Sequence, residues 1–185
     1  MLNSFVIANP NRCLGCYTCV VACSAAHRKS GLQAAPRLHI TYSPRGTMPV
    51  QCRHCEDAPC AVVCPVNAIE IRDGMVLVKE QACIGCKMCA LVCPFGAITM
   101  NGTFPPSIPK PAGQVQSLLA WLAGQKTVAI KCDLCCSSTD GPQCVKVCPT
   151  KALQLIAGDQ VERLIKLKRI SSVAVVDSIL NEEGE

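Results

Sequence analysis

Cys83-Ile84-Gly85-Cys86-Lys87-Met88-Cys89-Ala90-Leu91-Val92-Cys93-Pro94 places four cysteines at C-x2-C-x2-C-x3-C and closes on a proline. The rest of the chain is built around variants of this run. Cys13, Cys16, Cys19 and Cys23 repeat the spacing without the proline. Cys52, Cys55, Cys60 and Cys64 follow C-x2-C-x4-C-x3-C with Pro65, and Cys132, Cys135, Cys144 and Cys148 follow C-x2-C-x8-C-x3-C with Pro149. These four groups use all but one of the 17 cysteines in the 185 residues. The remainder is Cys136. Cys135 keeps the C-x2-C spacing and is the expected ligand, which leaves Cys136 as a spare thiol packed like a small hydrophobe.

Cysteines at i, i+3 and i+6 on a tight loop direct three thiolates at three corners of one iron–sulfur cube. The fourth, after a short helical turn, points towards a neighbouring cube. The proline then turns the chain into an extended path. Small residues within the loops (Gly15, Ala22, Gly85, Ala90) allow backbone amides to reach sulfur. The expected cofactors are four 4Fe–4S clusters. Structural zinc is the competing reading, but two separated C-x2-C pairs would satisfy it, and it explains neither the third cysteine nor the proline. A disulfide scaffold would need an oxidising compartment.

The repeat extends beyond the cysteines. Each proline is followed by a turn into a short alternating strand, at 66–71, 95–100 and 150–155. Strand-like runs at 5–8, 75–78 and 128–130 lead into groups. The fold class is α+β: strand, ligand loop, short helix, turn and strand, with two such units making one ferredoxin-like domain that holds two cubes. The first group lacks the proline, so a longer helix is expected after Cys23, along Ser24–Lys29. Residues 103–124 form a proline-rich connector ending in a short helix, in which Trp121 either closes the core or anchors a neighbour. Residues 159–185 read as a C-terminal helix with a short tail. Val161, Leu164, Ile165, Ile170, Val173, Val176 and Leu180 recur along it at helical spacing beside a basic face. This helix either docks on a partner or another copy, or folds back on the domain.

Composition narrows the function. No apolar run exceeds about six residues, against the ~20 of a membrane span, and the N-terminus has no export signal. The expected location is cytoplasmic. Nucleotide-binding glycine patterns, phosphate loops and H-E-x-x-H are absent, so the chain is expected to be a non-catalytic carrier. The formal charge of +5 does not argue for nucleic acid. Each loaded site carries about −2 with its thiolates, so four sites bring the protein to about −3. Among residues near the ligands, His54 reads as a half-solvated loop residue or as a donor tuning a cluster. Lys87 and Lys131 either raise a local potential or face water. His27 reads as a packing or interface residue, and Glu56 and Asp57 as turn formers.

Several stretches carry a family resemblance: His27-Arg28, Gly31-Leu32-Gln33, Pro36-Arg37-Leu38, Cys55-Glu56-Asp57-Ala58-Pro59-Cys60, Lys131-Cys132-Asp133-Leu134-Cys135 and Cys148-Pro149-Thr150-Lys151-Ala152-Leu153. With the four groups in this order, residues 1–157 resemble the four-cluster iron–sulfur subunits of the DMSO reductase type, attached to molybdenum or tungsten oxidoreductases. They are most similar to those of formate hydrogenlyase, hydrogenase-4 and hydrogen-dependent carbon dioxide reductase complexes. The resemblance implies that the groups pair first with fourth and second with third. One cube then takes Cys13, Cys16, Cys19 and Cys148, and another Cys23, Cys132, Cys135 and Cys144. A third takes Cys52, Cys55, Cys60 and Cys93, and the last Cys64, Cys83, Cys86 and Cys89. Residues 43–102 would be one two-cluster domain inserted into a split one formed by 1–42 and 125–158. The implied function is electron relay between a formate dehydrogenase or CO2 reductase subunit containing molybdenum or tungsten and a hydrogenase subunit. Other copies of the chain or related iron–sulfur subunits are possible neighbours. The alternatives are an electron-transfer subunit of another molybdenum or tungsten oxidoreductase, a free ferredoxin, or a zinc-stabilised binding module.

Overall fold

The computed structural model describes residues 2–44, 46–102 and 127–182, with side chains in the last helix described up to Val176. The connector with Trp121 lies outside them. Strands are three to six residues long and occur as four separate antiparallel pairs. β1 (Phe5–Ala8) pairs with β8 (Leu153–Ile156), so the two ends of the repeat region meet. β2 (Leu38–Ser43) and β3 (Gly46–Gln51) form a hairpin, β4 (Ile69–Arg72) pairs with β5 (Met75–Val78), and β6 (Thr99–Asn101) pairs with β7 (Val128–Ile130).

The expected strands at 5–8, 75–78 and 128–130 are present, and those after each Cys-Pro begin where the turn ends. The expected longer helix is α1 (Thr18–Lys29), with 12 residues. The helices of the other groups, α2 (Pro59–Val62), α3 (Met88–Val92) and α4 (Gln143–Lys146), have four or five. In the three shorter cases the following Cys-Pro ends the helix, because proline cannot continue it. α1 packs on α4, and α2 on α3.

Two apolar clusters form the interior, and cysteine is part of both. One joins Cys60, Cys83 and Cys89 with Ile69, Val76, Ile98 and Val128–Ile130; the other joins Cys19, Cys23 and Cys144 with Val6, Leu38, Leu134 and Leu153. β7, grouped with 131–158 by the sequence, therefore pairs and packs with the middle cysteine groups. The β2–β3 hairpin, which the sequence reading does not foresee, spans positions 42–43, where that reading draws a boundary. It lies beside the first ligand loop, where the Tyr17 and Tyr42 hydroxyls are 3.0 Å apart.

α5 (Gly158–Glu182) realises the C-terminal helix expected at 159–181. Its first residue lies against the chain start, where a Cβ on Gly158 would run into the Leu2 carbonyl. From Glu162 to Val176 every side chain is exposed. Among the described residues no helix is long and apolar enough to cross a membrane.

Candidate metal centres

The four ligand loops share a backbone device. The second residue after each group's first cysteine has positive φ: Gly15 (66°), His54 (49°), Gly85 (70°) and Leu134 (56°). This left-handed kink folds the loop back over the first sulfur and brings the amides of His54 and Gly85 to 3.3 and 3.4 Å from the Sγ of Cys52 and Cys83. At Gly85 a side chain is also excluded by space, since a Cβ would approach the Thr127 carbonyl oxygen to 2.6 Å.

A second device follows the prolines. Asn67, Gly96 and Lys151 each have positive φ, and each donates its amide to the carbonyl three residues back. The next amides, of Ala68, Ala97 and Ala152, then donate to the Sγ of Cys64, Cys93 and Cys148 at 3.2–3.4 Å. All three alanines are buried, and a larger side chain there would have to displace the core. The first group, without proline, obtains the same contact from a distant segment: the Arg37 amide donates to Cys23 Sγ at 3.3 Å.

These turns gather cysteines from different groups. Cys64 lines one hollow with Cys83, Cys86 and Cys89, floored by Ile69 and Met100. Cys148 lines another with Cys13, Cys16 and Cys19, beneath Ile40 and Pro49 of the hairpin. Burial dominates the electrostatics of several of the remaining thiols. Burial pushes Cys60 up to about 11, and the thiols of Cys52 and Cys93 add to this; burial likewise raises Cys55, beside the same two. Burial also pushes Cys144 up to about 12, reinforced by Cys23 and Cys135, and it raises Cys132 with a smaller contribution from Cys144.

Buried thiols that resist ionisation in the bare chain become thiolates only where metal supplies positive charge. The two hollows, with amides already directed at Cys64, Cys83 and Cys148, fit iron–sulfur cubes.

Comparison with known proteins agrees. Two family models, each described as a 4Fe-4S dicluster domain, match residues 45–104 and 82–153. Formate hydrogenlyase subunit 2 of Escherichia coli (strain K12) is 47% identical over 180 residues, covering 91% of this chain and 89% of its own length. The chain belongs to the family of iron–sulfur electron-transfer subunits. Hydrogenase-4 component A of the same strain is 46% identical over 183 residues, with the same coverage, and its electron transport protein HydN is 37% identical over 175 residues, covering 91% of this chain and 96% of its own length.

In this iron–sulfur subunit, several polar residues sit differently from their sequence reading. His54, read either as half-solvated or as a donor tuning a cluster, is 1% exposed. Its Nδ1 accepts the Val76 amide at 2.9 Å, so its proton is on Nε2, which has no partner among the described residues. Burial, helped by the charge of Lys131, holds its pKa down to about 3 and keeps the ring neutral. Cys136, expected to pack inside, is exposed. Two successive positive-φ residues, Leu134 and Cys135, turn the chain so that the Cys135 side chain is buried and its neighbour's is not.

His27 is buried and has two acceptors, the Cys23 carbonyl on Nδ1 at 2.7 Å and Asp133 Oδ1 on Nε2 at 2.9 Å. Both nitrogens must donate, so the ring is an imidazolium. Burial opposes that charge, but the bonds to Asp133 and to Cys23 Sγ, 3.6 Å from Nδ1, outweigh it and raise the pKa to about 9. Burial likewise works against the Asp133 carboxylate, and His27 and Arg37 overcome it, lowering its pKa to about 2. Arg37 continues the network to Glu80 at 2.7 Å. Sequence reasoning named none of Arg37, Asp133 or Glu80 as a network, and the signal is weak, because His27 and Asp133 are 106 positions apart. Replacing His27 with alanine leaves a buried carboxylate short of a partner, which typically costs about 3–5 kcal/mol. The expected result is a clearly lowered anaerobic melting temperature.

Proposed function

We propose that the chain carries four 4Fe–4S clusters on the sets Cys13, Cys16, Cys19 and Cys148; Cys23, Cys132, Cys135 and Cys144; Cys52, Cys55, Cys60 and Cys93; and Cys64, Cys83, Cys86 and Cys89. The observation carrying this reading is the crossing of groups, with Cys64 beside the third group's thiols and Cys148 beside the first group's. The domain reading that accompanies it is a two-cluster unit at 43–102 inserted in a split unit from 1–42 and 125–158, related by the repeated loop–helix–turn pattern, with the β2–β3 hairpin spanning the first junction and β7 lent by the split unit to the inserted one. Such clusters, when bound, supply one-electron exchange with little structural change. The protein's part is to hold the thiolates, donate amides to sulfur and exclude water.

The chain is proposed to act without chemistry of its own, relaying electrons between a formate-oxidising or CO2-reducing molybdenum or tungsten subunit and a hydrogenase. Nearly full-length similarity to formate hydrogenlyase subunit 2 and hydrogenase-4 component A supports those partners. Two ends suit a relay. Cys16 and Cys86 are exposed and belong to the first and last sets, whereas the other two sets have no exposed thiol. α5 is assigned to contacts within that complex, with a related iron–sulfur subunit or a second copy.

Anaerobic purification of the native complex tests this reading. A formate dehydrogenase-type subunit and a hydrogenase subunit are expected to accompany the chain, and their absence would overturn it. A chain ending at residue 157 is expected to keep its full iron content but to lose partners. Unchanged assembly would remove α5 from the account.

A further inference from the structure

The buried charges do not balance. His27 and Arg37 are matched by Asp133 and Glu80 at 2.9 and 2.7 Å. Lys131 is a third buried cation, 1% exposed, and among the described residues no carboxylate lies within ion-pair distance of it. Its Nζ donates to two carbonyls, that of Val76 on β5 and that of Cys132 at 2.7 Å. Neutral carbonyls solvate an ammonium but do not cancel its charge, and an unmatched buried charge is strongly unfavourable.

The missing counter-charge has a direction. Val76 packs in the core that contains Cys60, while Cys132 belongs to the other core and to the fourth cysteine group. The ammonium therefore bridges the junction between the two halves of the cysteine framework. Through Val76 it adjoins the loop of Cys52 and Cys55, whose His54 accepts the Val76 amide, and through the Cys132 carbonyl it adjoins the fourth group. His54 brackets the same position: it accepts the Val76 amide while Lys131 binds the Val76 carbonyl, and its neutral ring adds no second cation.

We infer that Lys131 is the shared counter-ion of the two inner cluster sites, the one on Cys52, Cys55, Cys60 and Cys93 and the one on Cys23, Cys132, Cys135 and Cys144. Its fixed positive charge favours the reduced, more negative state at both sites and holds their potentials above those they would otherwise have. It is a positioning residue, acting on the sites through its field and ligating nothing. The inference rests on the ligand sets proposed above.

The test compares the whole chain with Lys131→Gln and Lys131→Arg by anaerobic redox titration followed by electron paramagnetic resonance, with iron counted on the same samples. Glutamine keeps a donor for the two carbonyls and removes the charge, whereas arginine keeps the charge. The expected result is that two of four midpoints move to more negative values in Lys131→Gln, and that Lys131→Arg restores them. Loss of two clusters from the Gln variant with retention in the Arg variant supports the same role. Four clusters at unchanged potentials in Lys131→Gln, or equal changes in both variants, would overturn it. Wild-type protein with fewer than four clusters would instead refute the ligand sets.

Discussion

Cys93→Ala is expected to remove the cluster held by Cys52, Cys55 and Cys60, leaving the one held by its sequence neighbours Cys83, Cys86 and Cys89. The loss should be about a quarter of the iron, one cube of four. The decisive comparison is between double variants. Residues serving one site fail additivity, and residues serving separate sites add. Cys93→Ala combined with Cys60→Ala should therefore lose no more iron than either alone, whereas Cys93→Ala combined with Cys89→Ala should lose about twice as much. The geometry behind this is local. The turn after Pro94 puts the Ala97 amide on Cys93 Sγ at 3.4 Å, while Cys64, from the preceding group, fills the hollow beside Cys83, Cys86 and Cys89. Iron and sulfide analysis of the six proteins, wild type included, gives the answer. Additive loss in the Cys93–Cys60 pair would mean that each group keeps its own cube.

Removal of iron by a chelator is expected to unfold most of the chain outside α5. The β-structure of the described residues is four separate strand pairs, and a two-stranded pair alone is marginal in water. Among the described residues, three of the five helices have four or five residues, too short to persist unaided. Both apolar clusters include cysteines whose sulfurs would lose their metal. For proteins of this kind the free energy of metal binding is largely folding free energy. Hydrogen exchange followed by mass spectrometry should show protection collapsing in β1, β4, β5 and β8 after chelation and returning when clusters are rebuilt anaerobically. Protection that survives chelation would show a core able to stand without metal.

What was legible in the sequence was whatever cysteine spacing controls. The Cys-Pro turns announce their strands, and the missing proline after Cys23 announces the long α1. Glycine marks two of the four positive-φ kinks. The other two fall on His54 and Leu134, residue types that give no such signal, and they are held there by the loop around them. The β2–β3 hairpin carries Pro49 within a strand and shows only weak alternation, so no strand pattern stands out. For Lys131 and His54 the sequence leaves a cluster-tuning reading beside a solvent-facing one, because a charged or polar residue next to a ligand shows its burial only once its partners are known. Here they share Val76 of β5, whose amide bonds His54 from 22 positions away and whose carbonyl bonds Lys131 from 55. The His27–Asp133 pair was hidden by the same separation in sequence.

Iron and acid-labile sulfide, measured anaerobically on the chain as purified and read alongside its Mössbauer spectrum, tests the central claim most directly. About sixteen of each per chain, all in cubane signals, is the result expected of four 4Fe–4S clusters. About four zinc ions without sulfide, or iron sufficient for only two cubes, would contradict it.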